Sequence, residues 1–183
     1  MPRHVCPPWV GYLLLNPLRK WLENPVRLLG PFVRPGMTVL EPGCAMGYFT
    51  LPLARMVGPE GRVVATDIQA AMLDRLRRRA ARANLADRIE CRLTGADDLG
   101  ADDLEGQVDF AAVIHVVHEV PDAGRFLGNL LRALRPGGRA LVVEPKGHVA
   151  EADFEATREA AHTAGFAVQE FALARRCMAL LRP

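Results

Sequence analysis

The 183-residue sequence lacks several features that would assign it to whole classes of protein. It has no uninterrupted apolar run of the roughly 18 residues that a membrane-spanning helix needs, and its N-terminus has no clean apolar core followed by a cleavage site of small residues. Its formal net charge is only +2, so no general attraction to nucleic acid is expected. These absences argue against a membrane protein, a secreted precursor and a basic nucleic-acid-binding protein.

Cysteine is also scarce. The sequence contains four cysteines, and no two of them form a Cys-x-x-Cys pair. They are Cys6, Cys44, Cys91 and Cys177. Such spacing excludes a zinc knuckle and argues against a disulfide framework, and it is typical of reduced thiols. Hydrophobic residues nevertheless make up 50% of the chain, enough for a globular domain with a substantial core. We therefore expect a cytoplasmic protein without a membrane span or a metal site.

From Thr38 onward, segments of strand character alternate with segments of helical character. In chain order, the predicted elements are strand 38–41, helix 48–57, strand 62–67, helix 69–83, strand 89–93, strand 108–114, helix 122–134, strand 139–144 and helix 151–164. This alternation predicts right-handed crossovers and a parallel sheet, with a Pro-Gly-Gly turn at 136–138 before the fifth strand. Segments 166–171 and 177–181 are too close for a crossover, so they predict an antiparallel closing hairpin.

Residues 1–35 do not follow this alternation. They are rich in proline and in large apolar side chains such as Trp9, Tyr12 and Trp21. We expect one or two short helices that cover the open end of the sheet as a lid, with residues 36–183 forming the main domain. On residue types alone, Cys6 with His4 in this segment would also allow binding of a soft metal or a metalloid substrate.

The most informative stretch is 39–47, an apolar strand that ends in Glu41 and turns through a loop containing Gly43 and Gly47. Glycine lets a bound molecule approach the backbone, because no Cβ stands in the way. An acid at the mouth of such a loop repels a phosphate. It suits a ligand that carries positive charge or offers hydrogen-bond donors.

This stretch resembles the first motif of the class I S-adenosylmethionine-dependent methyltransferases, in which an acid precedes three glycines at alternate positions. Here the motif is Glu41, Gly43, Ala45 and Gly47, with Ala45 in place of the middle glycine. A dinucleotide-binding fingerprint fits less well, because Tyr48 stands where its third glycine belongs. The resemblance continues as an ordered series of motifs to Glu144. It implies an α/β fold, a Rossmann-like three-layer sandwich with a mostly parallel seven-stranded sheet and an antiparallel C-terminal strand.

The resemblance also implies where S-adenosylmethionine would bind. The methionine part would meet the loop after the first strand: Glu41, Gly43, Cys44, Ala45 and Gly47. Asp67, at the end of the second strand, would hold the ribose hydroxyls, and Ile68 and Met72 would pack on the adenine. The alternative for Asp67 is a cap on the helix that begins near Gln69.

The run after the third strand departs from the family pattern. Gly95 stands where relatives carry an aspartate that contacts the adenine. The backbone of Ala96 still serves that contact, and Asp97, Asp98 or a backbone carbonyl replaces the missing carboxylate.

Histidines supply the candidates for catalysis. His115 ends the fourth strand, where the resemblance implies contact with cofactor or substrate, and its ordinary titration range suits proton transfer. His118, followed by Glu119, is either a base or part of the first turn of the next element. The pattern matches neither of the usual zinc-protease motifs, so no metal is expected. Lys146 and His148, after the fifth strand, either neutralise an acidic acceptor or lie in a solvated loop.

The arginines of the second predicted helix have two interpretations, a nucleic-acid surface or a solvated outer face: Arg75, Arg77, Arg78, Arg79 and Arg82. We favour the second, because aromatic stacking residues are missing. The sequence therefore predicts a methyltransferase of the S-adenosylmethionine type with a small-molecule acceptor, monomeric or homodimeric. A nucleic-acid or protein methyltransferase of the same fold, a non-catalytic cofactor-binding protein and a dinucleotide oxidoreductase remain the alternatives.

Overall fold

A computed structural model describes residues 23–96, 98–145, 147–170 and 176–183. The described residues form two compact units that divide after Thr94. Within these ranges no helix has both the length and the apolar character needed to cross a bilayer.

Among the described residues, the first unit contains three parallel strands and three α-helices. In chain order they are α1 (Pro25–Leu29), β1 (Thr38–Pro42), α2 (Thr50–Met56), β2 (Arg62–Asp67), α3 (Ala70–Arg82) and β3 (Ile89–Leu93). The strands pair in the order β3-β2-β1, and the register places Glu41 beside Ala65. Parallel strands covered by helices need apolar side chains on both faces, and β1 and β2 are buried along almost their whole length.

The helices of this unit follow from capping and periodicity. Asn24 accepts hydrogen bonds from the first amides of α1, which begins with a proline as helix starts often do. The inner stripe of α3 is buried at Met72, Leu73 and Leu76. The predicted start of α2 at Tyr48 is wrong by two residues, because the chain is still turning there after the left-handed backbone of Gly47.

In the described part of the second unit there are four strands and two α-helices. They are β4 (Val108–Ile114), α4 (Ala123–Ala133), β5 (Leu134–Glu144), α5 (Glu151–Ala164), β6 (Ala167–Glu170) and β7 (Arg176–Leu181). β4 and β5 are parallel, while β7 is antiparallel to both β5 and β6. As predicted, Asp122 caps α4, since its side chain accepts a hydrogen bond from the Arg125 amide.

The sheet contains seven strands in the order β3-β2-β1-β4-β5-β7-β6, so the predicted α/β fold with an antiparallel C-terminal strand is confirmed. The start of β5 differs from the prediction, because it begins at Leu134 directly after α4 rather than at Arg139. The Pro-Gly-Gly stretch stays in the strand as an irregularity: Gly137 is left-handed and donates its N–H to the Arg182 carbonyl. The local sequence around Gly137 could not predict that its N–H group bonds to a residue near the C-terminus.

Of the predicted lid, only residues 23–35 are described. They contain the short helix α1, while Trp9, His4 and Cys6 lie outside the described residues. The lid role of this segment stays a prediction.

Candidate active site

A buried acid closes the end of β1. Glu41 is only 4% exposed, in a strand of apolar neighbours. Within the described ranges, neither its Oε2 atom nor the buried Thr50 hydroxyl has a hydrogen-bond partner. Burial raises the pKa of Glu41 to about 8. The Thr50 hydroxyl lies near enough to oppose the rise although it makes no hydrogen bond in the described part of the chain, and Asp67 adds a smaller increase. The first unit therefore holds a carboxyl group that a cationic ligand would favour in its ionised form.

The loop after Glu41 has left-handed backbone at three alternate residues. Gly43, Ala45 and Gly47 have φ angles of 67°, 47° and 81°. Glycine adopts such angles without cost, which accounts for two of the three positions. Ala45 carries a Cβ in the same region, so the position where the family's middle glycine is replaced is also the strained one.

Cys44 lies inside this loop and is buried. Its N–H donates to the Thr66 carbonyl at 3.0 Å, which ties the loop to β2. Burial, together with the neighbouring Glu41 and Asp67 carboxyls, raises the pKa of the Cys44 thiol. The side chain therefore packs as a small apolar group, and the backbone of Cys44 shapes the loop.

Asp67, at the end of β2, connects the loop to the start of α3. Its Oδ2 accepts the Ala45 N–H at 2.9 Å, and its Oδ1 accepts the Gln69 N–H at 2.8 Å. Burial raises the pKa of Asp67, and the backbone N–H groups that point at it oppose the rise. The bond to Gln69 closes a turn just before α3, whose N-cap residue is Gln69 and has no side-chain cap, so Asp67 precedes the helix and does not cap it. The bond to Ala45 was missed, because sequence spacing does not show which loop amide a strand-end carboxylate will reach.

The two residues expected to pack on an adenine differ in exposure. Ile68 follows β2 and is 41% exposed, whereas Met72 is only 3% exposed on the inner face of α3. Exposed aliphatic surface next to a strand-end carboxylate is available to a flat ring. The adenine contact of both residues stays a prediction.

Arg79 corrects the interpretation of the basic helix as a wholly solvated face. Its guanidinium is half-buried and donates to the Met46 carbonyl in the loop after β1. Burial lowers the pKa of Arg79. One of the five arginines of α3 therefore supports the loop instead of facing solvent. Its spacing in the sequence gave no sign of this.

The loop after β3 begins with exposed residues. Gly95 and Ala96 are both exposed, and Asp97 lies outside the described residues. The Gly95 carbonyl accepts the Asp98 N–H at 3.2 Å, while the Asp98 side chain accepts the Gly100 N–H at 2.7 Å. Asp98 thus stabilises a turn, and the contact expected to replace the family's aspartate stays a prediction.

His115, immediately after β4, has a backbone conformation that is rare for a residue with a side chain. Its φ is 61°, and its N–H donates to the Val143 carbonyl of β5 at 2.8 Å. Left-handed conformations of this kind cost of order 1–3 kcal/mol and cluster at functional sites. The strain agrees with the choice of His115 as a candidate, and its role stays a prediction.

A second buried acid ends β5. Glu144 is 1% exposed; its Oε2 lies 2.5 Å from His118 Nδ1, and its Oε1 accepts the Val117 N–H at 2.9 Å. His118 lies in the short 3-10 turn Val117–Glu119, and its ring packs edge-on against that of His148 with centroids 5.2 Å apart.

The sequence interpretation offered His118 as a base or as part of a turn, and it did not pair His118 with Glu144. The signal available was that β5, like β1, ends in an acid after an apolar strand. Lys146, in the same loop as His148, lies outside the described residues. Among the residues that the structure describes, no three histidine, cysteine or acidic side chains converge as metal ligands.

Known proteins are similar to this chain in sequence. A demethylmenaquinone methyltransferase from Symbiobacterium thermophilum is 35% identical over 111 residues, which cover 61% of this chain and 43% of the relative. A ubiquinone/menaquinone biosynthesis C-methyltransferase from Idiomarina loihiensis is 36% identical over 130 residues, 69% of this chain and 49% of the relative. The chain thus spans less than half the length of these two relatives.

Among solved structures, a SAM-dependent methyltransferase from Aquifex aeolicus superimposes with a TM-score of 0.84 at 22% identity, over 97% of this chain and 98% of the other. At that identity the likeness shows the fold. The family model described as a methyltransferase domain matches residues 39–138, over half of the chain and including Glu41, Asp67 and His115. The chain therefore belongs to the methyltransferase domain family.

Proposed function

We propose that this protein is an S-adenosylmethionine-dependent methyltransferase that acts on a small-molecule acceptor. The observation that carries the proposal is the buried Glu41 carboxyl, whose Oε2 has no partner among the described residues. A buried polar atom without a partner is costly, so such a group marks a place where a ligand completes the hydrogen bonding. Membership of the family supports the same conclusion.

The residues present fit this cofactor. Its amino group and sulfonium are both positively charged, and a carboxyl whose pKa is raised to about 8 by burial gains most from a cation. Exposed Gly43 has no Cβ to block approach to the loop backbone. When bound, S-adenosylmethionine supplies a methyl group activated by the neighbouring positive sulfur. Glu41 would hold its amino group, and Asp67 its ribose.

The adenine end would lie against Ile68 and Met72, with the backbones of Gly95 and Ala96 beside it. Asp97 or Asp98 would supply the polar contact that Gly95 lacks. His115 and His118 are the proposed catalytic side chains.

The names of the relatives suggest which acceptors to test first. Two of them are named for methylation in menaquinone or ubiquinone biosynthesis, so we place quinol-like aromatic molecules at the head of the screen. Residues 1–35, as a lid, would close over such an acceptor. We further propose that the protein works in the cytoplasm, as a monomer or a homodimer.

Calorimetric titration with S-adenosylmethionine, its demethylated product and NAD tests the cofactor. We expect micromolar binding of the first two and none of NAD. Asp67→Ala should weaken binding at least tenfold, because it removes both the proposed ribose acceptor and the bond to Ala45. Asp74→Ala is the matched control: this acid lies on α3, is 56% exposed and forms an ion pair with exposed Arg77, so affinity should not change.

Two outcomes would contradict the proposal. Tighter binding of NAD would favour an oxidoreductase, and absence of binding by the intact protein would exclude unaided use of the cofactor. Binding without turnover over a broad acceptor panel would instead favour a non-catalytic protein. Salt-sensitive binding of RNA or DNA would favour a nucleic-acid substrate.

A further inference from the structure

We infer that Arg79 is a positioning residue for the cofactor: it holds the loop after β1 in the shape that receives the methionine half of S-adenosylmethionine. The inference rests on the proposed function. It adds a residue of α3 to the binding machinery, and it predicts which half of the cofactor that residue serves.

The loop after β1 is held from two sides, and the first side is the end of β2. Here the Thr66 carbonyl accepts the Cys44 N–H at 3.0 Å. The Asp67 carboxylate accepts the Ala45 N–H at 2.9 Å. Both contacts from β2 therefore fix N–H groups of the loop.

Helix α3 holds the loop from the other side, through two residues that are one turn apart. Leu76 is fully buried, and a Cβ added at Gly47 would fall 2.4 Å from its Cδ1, so the loop lies directly against this side chain. Three residues later, the Arg79 guanidinium donates to the Met46 carbonyl. Residues three apart lie on the same face of a helix, so the apolar contact and the hydrogen bond act together on neighbouring loop residues.

Arg79 lies where a charged side chain is costly. Its guanidinium is half-buried, and burial lowers its pKa. A buried charge is normally compensated by an opposite charge, yet among the residues that the structure describes Arg79 donates to a neutral carbonyl and forms no ion pair. The loop residue next to that carbonyl is Ala45, whose left-handed φ of 47° is strained. Strained backbone persists only where surrounding contacts hold it, and Arg79 supplies one of them.

The loop and Asp67 would serve different halves of the cofactor. In the proposed function the loop meets the methionine part, whereas Asp67 holds the ribose. Without the Arg79 bond the loop would populate other shapes, and the affinity of a ligand falls with the fraction of binding-competent protein. Asp67 would keep the bond from the Gln69 N–H at 2.8 Å, so its carboxylate would stay oriented. Loss of the Arg79 bond should therefore weaken ligands that carry the methionine part and spare those that lack it.

Hydrogen exchange of the loop amides tests the positioning role without any ligand. Arg79→Met removes the charge and the donor but keeps an unbranched side chain of similar helix propensity. We expect the Cys44 and Ala45 N–H groups to exchange at least about tenfold faster in this variant, because their bonds need the loop to keep its shape. Amides inside β2, such as that of Val64, report a general loss of stability and should change less. Arg78→Met is the matched control, since Arg78 is exposed on the same helix.

Calorimetry with two ligands gives the second readout. The demethylated product of S-adenosylmethionine carries the methionine part, whereas 5′-methylthioadenosine carries the adenosine and the sulfur without the amino-acid group. We expect Arg79→Met to bind the demethylated product about tenfold more weakly than the wild type does, and to bind 5′-methylthioadenosine within about threefold of it. Arg79→Lys keeps a positively charged donor and should recover part of the lost affinity.

Three results would overturn the inference: unchanged loop exchange in Arg79→Met, equal weakening of both ligands, or an Arg79→Lys variant that binds no tighter than Arg79→Met. Equal weakening would mean that Arg79 supports the fold as a whole and not the methionine site. Failure of the wild type itself to bind either ligand would contradict the proposed function, and this inference with it. The three results above, obtained with a wild type that binds, contradict the inference alone.

Discussion

Glu41→Gln removes one ionisable group from the end of β1 and leaves the volume of the side chain almost unchanged. Glu41 is 4% exposed, and its ordinary pKa of 4.5 rises to about 8 on folding. The substitution therefore separates the charge of this site from its packing. All other titrating groups are shared by the two proteins, so a difference in pH dependence comes from Glu41 and from the groups coupled to its charge, Asp67 and Cys44.

The sign follows from the direction of the shift. An acid whose pKa is raised on folding lowers the stability of the native state at any pH where the unfolded chain ionises it. The unfolded chain ionises Glu41 above about pH 4.5, while the native protein keeps it protonated until about pH 8. Native stability is therefore lost progressively as the pH rises from 4.5 to 8, and the loss levels off above pH 8.

The magnitude is large enough to measure. A rise from 4.5 to about 8 corresponds to about 5 kcal/mol at high pH, because one pKa unit is worth about 1.4 kcal/mol. Between pH 5 and pH 9 we expect the wild type to lose about 4 kcal/mol of unfolding free energy relative to Glu41→Gln. Urea unfolding of both proteins at pH 5, 7 and 9 checks this, with unchanged m-values as evidence that the comparison is valid.

The same shift predicts proton release on binding. A cation that binds next to Glu41 favours the ionised carboxylate, yet at pH 6.5 the free protein holds this group almost fully protonated. Binding of S-adenosylmethionine at pH 6.5 should therefore release close to one proton per site. Calorimetry in buffers of different ionisation enthalpy measures that number directly. Glu41→Gln should release none and should bind at least tenfold more weakly, since it offers no charge to the ammonium group.

Two results would refute this reasoning. Equal pH dependence of unfolding in the wild type and in Glu41→Gln would show that Glu41 is not held protonated by burial. Equal proton release by the two proteins would show that the ligand's positive charge lies elsewhere. In the second case Asp67, whose pKa is also raised by burial, becomes the group to replace.

The backbone of the loop gives two further predictions. Gly47→Ala and Gly36→Ala place alanine at nearly the same left-handed φ, 81° and 84°, but only the new Cβ at 47 falls 2.4 Å from buried Leu76 Cδ1. Urea unfolding should show the Gly47 variant to be less stable than the Gly36 variant by about 1–3 kcal/mol, and equal losses would mean that Leu76 moves aside freely. Ala45→Gly should raise unfolding free energy by up to about 1 kcal/mol, because it relieves the left-handed φ of 47° and keeps the N–H that Asp67 accepts. A less stable glycine variant would mean that the Ala45 methyl group contributes more by packing than it costs in strain.

Much of the fold was accessible from the sequence because strand and helix periodicities are local. The alternating segments, the closing hairpin and the cap at Asp122 all depend on neighbours within a few residues. The start of β5 was not accessible in the same way. Its Pro-Gly-Gly stretch reads locally as a turn, but Gly137 bonds to Arg182 near the C-terminus and stays in the strand. Pairing at that sequence distance overrides a local turn preference.

The same distinction separates the parts of the candidate site. Glu41 and Asp67 could be proposed as site residues because their spacing is characteristic, whereas the contact of His118 with Glu144 was missed because its members lie on different elements. Arg79 was misread for a similar reason. A helical pattern shows which arginines face away from the core, but it does not show that one of them reaches the Met46 carbonyl. Contacts between side chains and distant backbone require the fold to be known first.

The backbone bonds of Asp67 are compatible with the ribose role that we propose for it. Each of its oxygens accepts one backbone N–H, from Ala45 and from Gln69, so the carboxylate fixes both the loop after β1 and the entrance to α3. A carboxylate has about four lone-pair sites, and these two bonds use only half of them. The remaining two are the number that a pair of ribose hydroxyls requires. The bond to Gln69 therefore does not compete with the proposed binding of the ribose. By orienting the carboxylate beforehand, it would reduce the ordering that is needed on binding.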